Sequence, residues 1–198
     1  MELRTVMGRA AEAAVGVVRG IGPEQLGLPT PCQGLDVRAL ANHMIFWTVV
    51  QGYPAGLKRS AEERTGGAEE GHDFTAEAGW AEEYAARAAA TAAVWSEPEA
   101  WDGEASLTGA GTMPAAFAGG IVFGEWLLHG WDLAAATGQK LDVDDEVAAA
   151  LYENVAVKAE MARKHGVFGP EVPVPPSAPA FDRALGLAGR DPSWSPRA

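Results

Sequence analysis

Apolar residues recur three and four positions apart over most of the chain, which is the spacing of a helical stripe. This spacing predicts five longer helices and one short helix, the short one over residues 180–187 near the end of the chain. Because the length suits one domain better than two, we expect a single all-α domain over residues 1–198. The five longer predicted helices cover residues 2–19, about 37–51, 75–95, about 114–136, and 144 or 145 through Met161 to 165–166.

Turn and cap residues set the expected limits of these helices. Asp36 is a good N-cap for the second helix, and Gly138 is expected to end the fourth. A polar, glycine-containing stretch over residues 58–73 has no periodicity and predicts a mobile surface loop. Residues 101–112 contain several glycines around a short apolar segment, which favours a short hairpin or an irregular excursion over a helix.

Composition and charge exclude several classes of function. The formal net charge of -12 opposes binding to phosphate backbones, so nucleic acid is not expected as a partner. The chain has neither a secretory leader nor an apolar stretch long enough for a bilayer, and we expect no membrane contact. Its single cysteine, Cys32, cannot form an internal disulfide, which fits a reducing compartment. The protein is therefore expected in the cytoplasm.

The candidate chemistry lies on the second and fourth predicted helices. Glu125 and His129 are four positions apart, so a helix places them on the same face, and the neighbours of that face are mostly apolar. His43 has apolar neighbours at helical spacing on the second helix and is also expected to face the core. Two imidazoles and one carboxylate are a ligand set of catalytic zinc sites, which leave a further position for water or substrate.

These residues alone leave two interpretations open. A buried carboxyl group should be protonated, accept hydrogen bonds or bind a cation. If it were ionised without such a partner, its burial would cost several kcal/mol. His43 taken singly is more often a satisfied core histidine, and Glu125 and His129 could simply pair with each other. Taken together, the three residues could instead hold one divalent ion.

Four stretches give the chain a family resemblance, which covers nearly its whole length. They are residues 29–32 (PTPC), 35–43 (LDVRALANH), 125–134 and 189–194 (GRDPSW). The sequence resembles the DinB/YfiT-like superfamily, and within it the actinobacterial proteins related to the N-terminal domain of mycothiol-dependent maleylpyruvate isomerase.

The resemblance implies a DinB-like four-helix bundle in up-down-down-up order, here with an additional C-terminal helix and a short irregular tail. It also implies that a divalent metal is held by His43, Glu125 and His129. Many DinB-type proteins have histidine at this position, whereas this sequence has Glu125, and in this it resembles the isomerase branch. The isomerase has a second, C-terminal domain, whereas only a short segment follows the fifth helix here, so the substrate stays open.

Other residues near these positions are given lesser roles. Asp132 follows His129 by three positions and could orient a ligand imidazole or metal-bound water, with a surface ion pair as the alternative. Trp47 and Trp131 flank the ligands and could line a pocket, although aromatic residues at helical spacing are usually core. Cys32 would lie about 16 Å from His43 if the chain between them were helical, and it is interpreted as a packing residue.

The leading hypothesis is a metal-dependent thiol transferase or isomerase that acts on a small electrophile. A metal with an open position lowers the pKa of a bound thiol, and the resemblance implies that mycothiol is the co-substrate. A metal-dependent hydrolase and a non-enzymatic metal- or ligand-binding bundle with a stress or regulatory role are the alternatives. Zinc is the first choice of metal, and nickel, iron or manganese would suit the same ligands. A homodimer through the first and fifth helices is also considered.

Overall fold

The computed structural model describes residues 2–64 and 71–196 and shows an all-α helical bundle, which confirms the predicted fold class. Four helical columns form the bundle. The first is α1, the second combines α2 with α3, the third is α4, and the fourth combines α5 with α6. The helices are α1 (Met7–Arg19), α2 (Val37–Ile45), α3 (Gly52–Gly56), α4 (Trp80–Ser96), α5 (Ala115–Gly124), α6 (Gly130–Thr137), α7 (Asp145–Ala156), α8 (Ala159–Lys164) and α9 (Ala180–Leu187).

Two π-helical turns make the second and fourth columns continuous. Phe46–Gln51 joins α2 to α3, and Glu125–His129 joins α5 to α6. Short 3₁₀ helices at Leu3–Thr5, Pro23–Gln25, Phe74–Ala76 and Pro98–Trp101 make up the remaining helical segments of the described chain. Apolar spacing predicted both columns, but it did not distinguish α-helical from π-helical turns.

One hydrophobic cluster holds the bundle together and contains buried residues from α1 through α9. Its largest fully buried side chains include Trp95, Trp126 and Tyr84. The indole Nε1 of Trp95 donates a hydrogen bond to the carbonyl oxygen of Gly52 at 2.9 Å, which joins α4 to α3. α7 packs on α5 and on α9, so the C-terminal helices extend the bundle on the side of its fourth column.

Most predicted helix limits agree with the structure, and their causes are visible. The Asp36 side chain accepts a hydrogen bond from the backbone N–H of Ala39 at 2.8 Å, which confirms the predicted N-cap of α2. Asp144 does the same for α7 by accepting from Val147 at 2.9 Å. Gly138 ends α6 with a left-handed backbone, at φ 72°.

Two helix starts and the continuity of the fifth helix were predicted wrongly. The first helix was expected from residue 2, but Leu3–Thr5 is a 3₁₀ helix and α1 begins at Met7. The third helix was expected from residue 75, but α4 begins at Trp80, because Gly79 preceding it has a positive φ of 75°. The fifth predicted helix is two helices, α7 and α8, which are interrupted at residues 157–158.

The hairpin and loop predictions concern the segments between the columns. Strands β1 (Glu104–Ala105) and β2 (Met113–Pro114) pair antiparallel, so the excursion at residues 101–112 is a short hairpin. In the loop predicted over residues 58–73, the described parts contain neither helix nor strand, whereas residues 65–70 lie outside the described residues. No helix in the described ranges has both the length and the apolarity that a membrane span requires.

Candidate metal centre

The second and fourth columns bring the three predicted ligands to one place. His43 lies in the last turns of α2, and Glu125 and His129 lie at the two ends of the π-helical turn between α5 and α6. Both ligand-bearing columns therefore contain a π-helical turn at or next to a candidate ligand. Such turns are frequent at functional sites.

The three side chains converge on one carboxylate oxygen. Glu125 Oε2 lies 3.3 Å from His43 Nε2 and 3.4 Å from His129 Nε2. The ligand atoms of the three residues all lie within 4.8 Å of one another. Bonds of about 2.0–2.2 Å to a tetrahedral ion would hold neighbouring ligand atoms about 3.3–3.5 Å apart. Both distances to Glu125 Oε2 therefore match neighbouring corners of such a site.

Burial of the three residues is uneven. The side chains of His129 and Glu125 are 11% and 20% exposed, whereas that of His43 is 37% exposed. The prediction that His43 faces the core is thus only partly correct, because its side chain is the most exposed of the three candidate ligands. The two imidazole rings meet edge to face at a centroid distance of 5.0 Å.

The Glu125 carboxylate needs a positive partner. Its Oε2 atom is buried and accepts no hydrogen bond of good geometry from the described residues. Burial acts to raise the pKa of Glu125, but the opposing effect of His129, His43 and Arg190 is larger, and the pKa lies below its ordinary value. The group is therefore ionised at neutral pH. An ionised, buried oxygen without a donor is costly unless a proton on an imidazole or a metal cation faces it.

Asp132 fixes the orientation of His129. Its carboxylate is fully buried and lies 3.0 Å from His129 Nδ1. Burial acts to raise the pKa of Asp132, but Arg190 and His129 lower it further, so the carboxylate is ionised and Nδ1–H donates to it. In the neutral imidazole, the lone pair of Nε2 then faces Glu125 Oε2, which is the orientation that metal coordination requires.

Arg190 completes this arrangement from the C-terminal segment. Its Nη2 donates to Asp132 Oδ2 at 2.8 Å, and its Nε lies 3.1 Å from Oδ1. The ion pair considered for Asp132 therefore exists, but it is buried and not on the surface. Sequence reasoning gave Arg190 no role. The available signal was its place in the GRDPSW stretch, more than fifty positions from Asp132.

Cys32 lies closer to the group than the sequence suggested. Its sulfur lies within 4.8 Å of ligand atoms of His129 and Asp132. The long separation expected from the sequence assumed helix from residue 32 onward, whereas residues 29–36 form a loop closed by a bridge between Pro29 and Asp36. Burial and the nearby Asp132 raise the pKa of the Cys32 thiol, so it stays protonated and is a poor nucleophile at neutral pH.

Two cavities reach the three candidate ligands, His43, Glu125 and His129. One of about 390 Å³ is lined by Glu125, His129, Cys32 and Arg190 together with residues of the C-terminal segment. The other, of about 460 Å³, is lined by His43 and Trp47. Trp47 thus lies where a pocket residue was predicted, whereas Trp131 packs against the core and lines neither cavity.

Comparisons with known proteins agree with the family resemblance of the sequence. The family model described as mycothiol maleylpyruvate isomerase N-terminal domain matches residues 7–134. That range contains His43, Glu125, His129 and Asp132, whereas Arg190 lies beyond it. No solved structure matches the chain significantly.

Two similar proteins come from Mycobacterium tuberculosis. They are the uncharacterized protein Rv0738 of strain ATCC 25618 / H37Rv and the uncharacterized protein MT0763 of strain CDC 1551 / Oshkosh. Each is 29% identical over 184 residues, which cover 92% of this chain and 94% of the relative. The similarity therefore extends over the C-terminal helices that the family model does not match.

Proposed function

Because the chain belongs to the mycothiol maleylpyruvate isomerase N-terminal domain family, we propose that it binds one divalent metal ion through His43, Glu125 and His129. We further propose that it uses this ion as a thiol transferase or isomerase. The co-substrate would be a low-molecular-weight thiol of the mycothiol type, and the second substrate a small electrophile.

The buried oxygen Oε2 of Glu125, placed between two imidazole nitrogens, is the observation that carries this proposal. It is buried, ionised and faced by two imidazole nitrogens at 3.3 and 3.4 Å. With its Nδ1 proton donated to Asp132, a neutral His129 ring would direct the lone pair of Nε2 at the Glu125 oxygen, which is also an acceptor. A cation between these atoms removes that repulsion and satisfies the carboxylate without a second proton on the ring.

The residues of this chain would set the properties of the centre. Glu125 contributes the negative charge that offsets the ion, and Asp132 with Arg190 holds the His129 ring in its ligand orientation. A divalent ion held there would supply Lewis acidity, which lowers the pKa of a thiol that reaches it. The two cavities beside the group give a thiol and an electrophile separate approaches to it.

Zinc is the metal that we propose first. Two nitrogens and one oxygen at tetrahedral spacing match the protein ligands of catalytic zinc sites, which keep a fourth position for water or substrate. Nickel, iron and manganese suit the same donor atoms, and the choice among them depends on availability as well as affinity.

The test has two stages, metal content and then thiol transfer. Protein purified without a histidine tag is expected to contain a divalent metal by elemental analysis. A screen with mycothiol and small electrophiles should then show thiol consumption that a chelator abolishes and zinc restores. For metal content, His165→Ala is the control for substitution of a histidine, since His165 is not among the three candidate ligands. Metal content without any thiol consumption would instead favour a non-enzymatic binding bundle.

A further inference from the structure

A third cavity lies between α5 and the pair α7–α8. Its volume is about 320 Å³, and its wall is mainly hydrocarbon. Positions 117, 121, 124 and 128 recur at helical spacing and present one face of the fourth column to the cavity. The main apolar side chains of the wall are Phe117, Ile121, Leu128, Val155, Met161 and Phe168.

One cation, Lys158, belongs to this apolar wall. Its Nζ is buried and has no hydrogen-bond acceptor in the described part of the chain. The ammonium lies 4.8 Å from the centre of the Phe117 ring and directly over Gly120, where a Cβ would overlap it. The absence of a side chain at position 120 thus makes room for the Lys158 ammonium, which no acceptor among residues 2–64 and 71–196 satisfies.

The lysine keeps its charge at neutral pH. Burial lowers the pKa of Lys158 to about 8, which still leaves the ammonium form predominant at pH 7. An ammonium has three donors, and leaving them unsatisfied in an apolar wall is costly. An anionic group entering the cavity would relieve that cost.

We propose that this cavity binds a small monocarboxylic acid with an apolar body. The carboxylate would pair with Lys158 Nζ, which turns from above Gly120 toward the cavity that its methylene groups already line. The alkyl or aryl body would lie against Ile121, Leu128 and Phe168. Pockets of this kind, apolar with a few polar groups, are typical of small-molecule sites.

The other polar groups of the wall favour a single negative charge on the ligand. The amide Nδ2 of Asn154 already donates to the carbonyl oxygen of Gly120 at 2.8 Å. Glu125 lies at the end of the cavity and repels a second anionic group, whereas His165 lies on the exposed rim. A monocarboxylate therefore matches the one free cation of the described wall better than a doubly charged phosphate does.

This cavity adjoins the cavity beside the candidate metal ligands Glu125 and His129. Glu125, Leu128 and Phe168 line both this cavity and the one that contains His129. The end of a bound acid opposite its carboxylate would thus lie beside the proposed metal centre. A substrate of that centre would occupy the same position. This link to the reaction rests on the proposed function, whereas binding of the acid does not.

Calorimetric titration of the full-length protein with 4-phenylbutyrate and with its neutral amide tests the proposal. The acid is expected to bind about tenfold tighter than the amide, or more, because only the acid forms a charge-assisted pair. Lys158→Met should remove that difference and leave the affinity for the amide unchanged. Lys140→Met, which changes an exposed lysine, should retain it.

Equal affinity of the wild-type protein for acid and amide would overturn the proposal without recourse to any variant. A folded Lys158→Met protein that keeps the affinity for the acid would overturn it as well. Metal content is measured in the same samples, so a missing metal centre and a missing acid site give separate results.

Discussion

At the scale of single residues, the Asp132 carboxylate determines how His129 faces its partners. It is fully buried, accepts from His129 Nδ1 and pairs with Arg190, so it joins the candidate centre to the C-terminal segment. The sequence could place Asp132 near His129, because three positions on a helix lie on one face. It could not place Arg190, since a contact across more than fifty positions depends on how the C-terminal segment folds back.

Asp132→Asn is expected to weaken both the metal site and the fold. The amide cannot hold the Nδ1 proton as a carboxylate does, so metal affinity should fall about 10–100-fold. Arg190 would be left buried without its counter-charge, and the free energy of unfolding should fall by about 3 kcal/mol. Metal titration and urea unfolding measure the two effects.

The Asp132→Asn/Arg190→Met double variant is the control for stability, and it should lose less stability than Asp132→Asn alone. Unchanged metal affinity in Asp132→Asn would contradict the orienting role of Asp132.

Replacement of Lys158 is expected to raise the free energy of unfolding, by an amount that depends on pH. Its pKa is about 8 in the folded protein, against an ordinary value of 10.5, so burial of the charge destabilises the fold below pH 8. This penalty disappears as the pH rises from about 8 to 10.5, because the buried lysine loses its proton before the unfolded chain does. Lys158→Met should therefore raise the free energy of unfolding by on the order of 2 kcal/mol at pH 7 and by much less at pH 10. Urea unfolding at both pH values, with Lys140→Met as control, checks this, and a pH-independent difference would refute burial of the ammonium charge as the cause.

At the scale of the elements, the sequence predicted the columns better than their details. Apolar spacing located all four columns of the bundle and the short helix α9, and side-chain caps located the starts of α2 and α7. The predicted start of α4 was wrong because the left-handed backbone of Gly79 separates Thr75 from the helix. Thr75 lies instead in a short 3₁₀ helix, where its hydroxyl donates to Asp73 at 2.6 Å. The π-helical turns could not be predicted, since one additional residue in a turn changes the hydrogen bonds and hardly changes the apolar pattern.

The N-cap of α2 supports the column that carries His43. Asp36→Ala removes the acceptor of the Ala39 N–H group and should lower the free energy of unfolding by about 1 kcal/mol. Metal content should stay unchanged, because His43 lies almost two turns further along the helix. Thermal unfolding of Asp36→Ala beside Asp142→Ala, which changes an exposed aspartate before α7, measures the effect. Equal melting temperatures for the two variants would show that the cap contributes nothing.

At the scale of the whole molecule, the core does not depend on the candidate centre. The hydrophobic cluster contains buried residues from α1 through α9, and its packing does not include His43, Glu125 or His129. The apolar residues of α1 are buried inside the chain against α4 and α6, so a dimer through α1 would use the other face of that helix.

Removal of metal should therefore lower stability without unfolding the protein. A ligand that binds only the folded state raises stability by its binding term, and a chelator removes no more than that term. Circular dichroism should show the same helix content at room temperature with and without chelator, together with a lower melting temperature after chelation. Complete unfolding on chelation at room temperature would indicate a metal-dependent fold of the zinc-finger kind and not a site within a pre-formed bundle.

The metal content of Glu125→Gln is the most direct test of the three-residue centre. The substitution keeps the volume of the side chain but removes the charge that offsets the ion. Elemental analysis should find a divalent ion in the wild-type protein and in His165→Ala, and almost none in Glu125→Gln, His43→Ala or His129→Ala. If Glu125 is only a buried acid, Glu125→Gln should instead be neutral or stabilising. A folded Glu125→Gln protein that binds metal as tightly as the wild type would contradict the proposed centre.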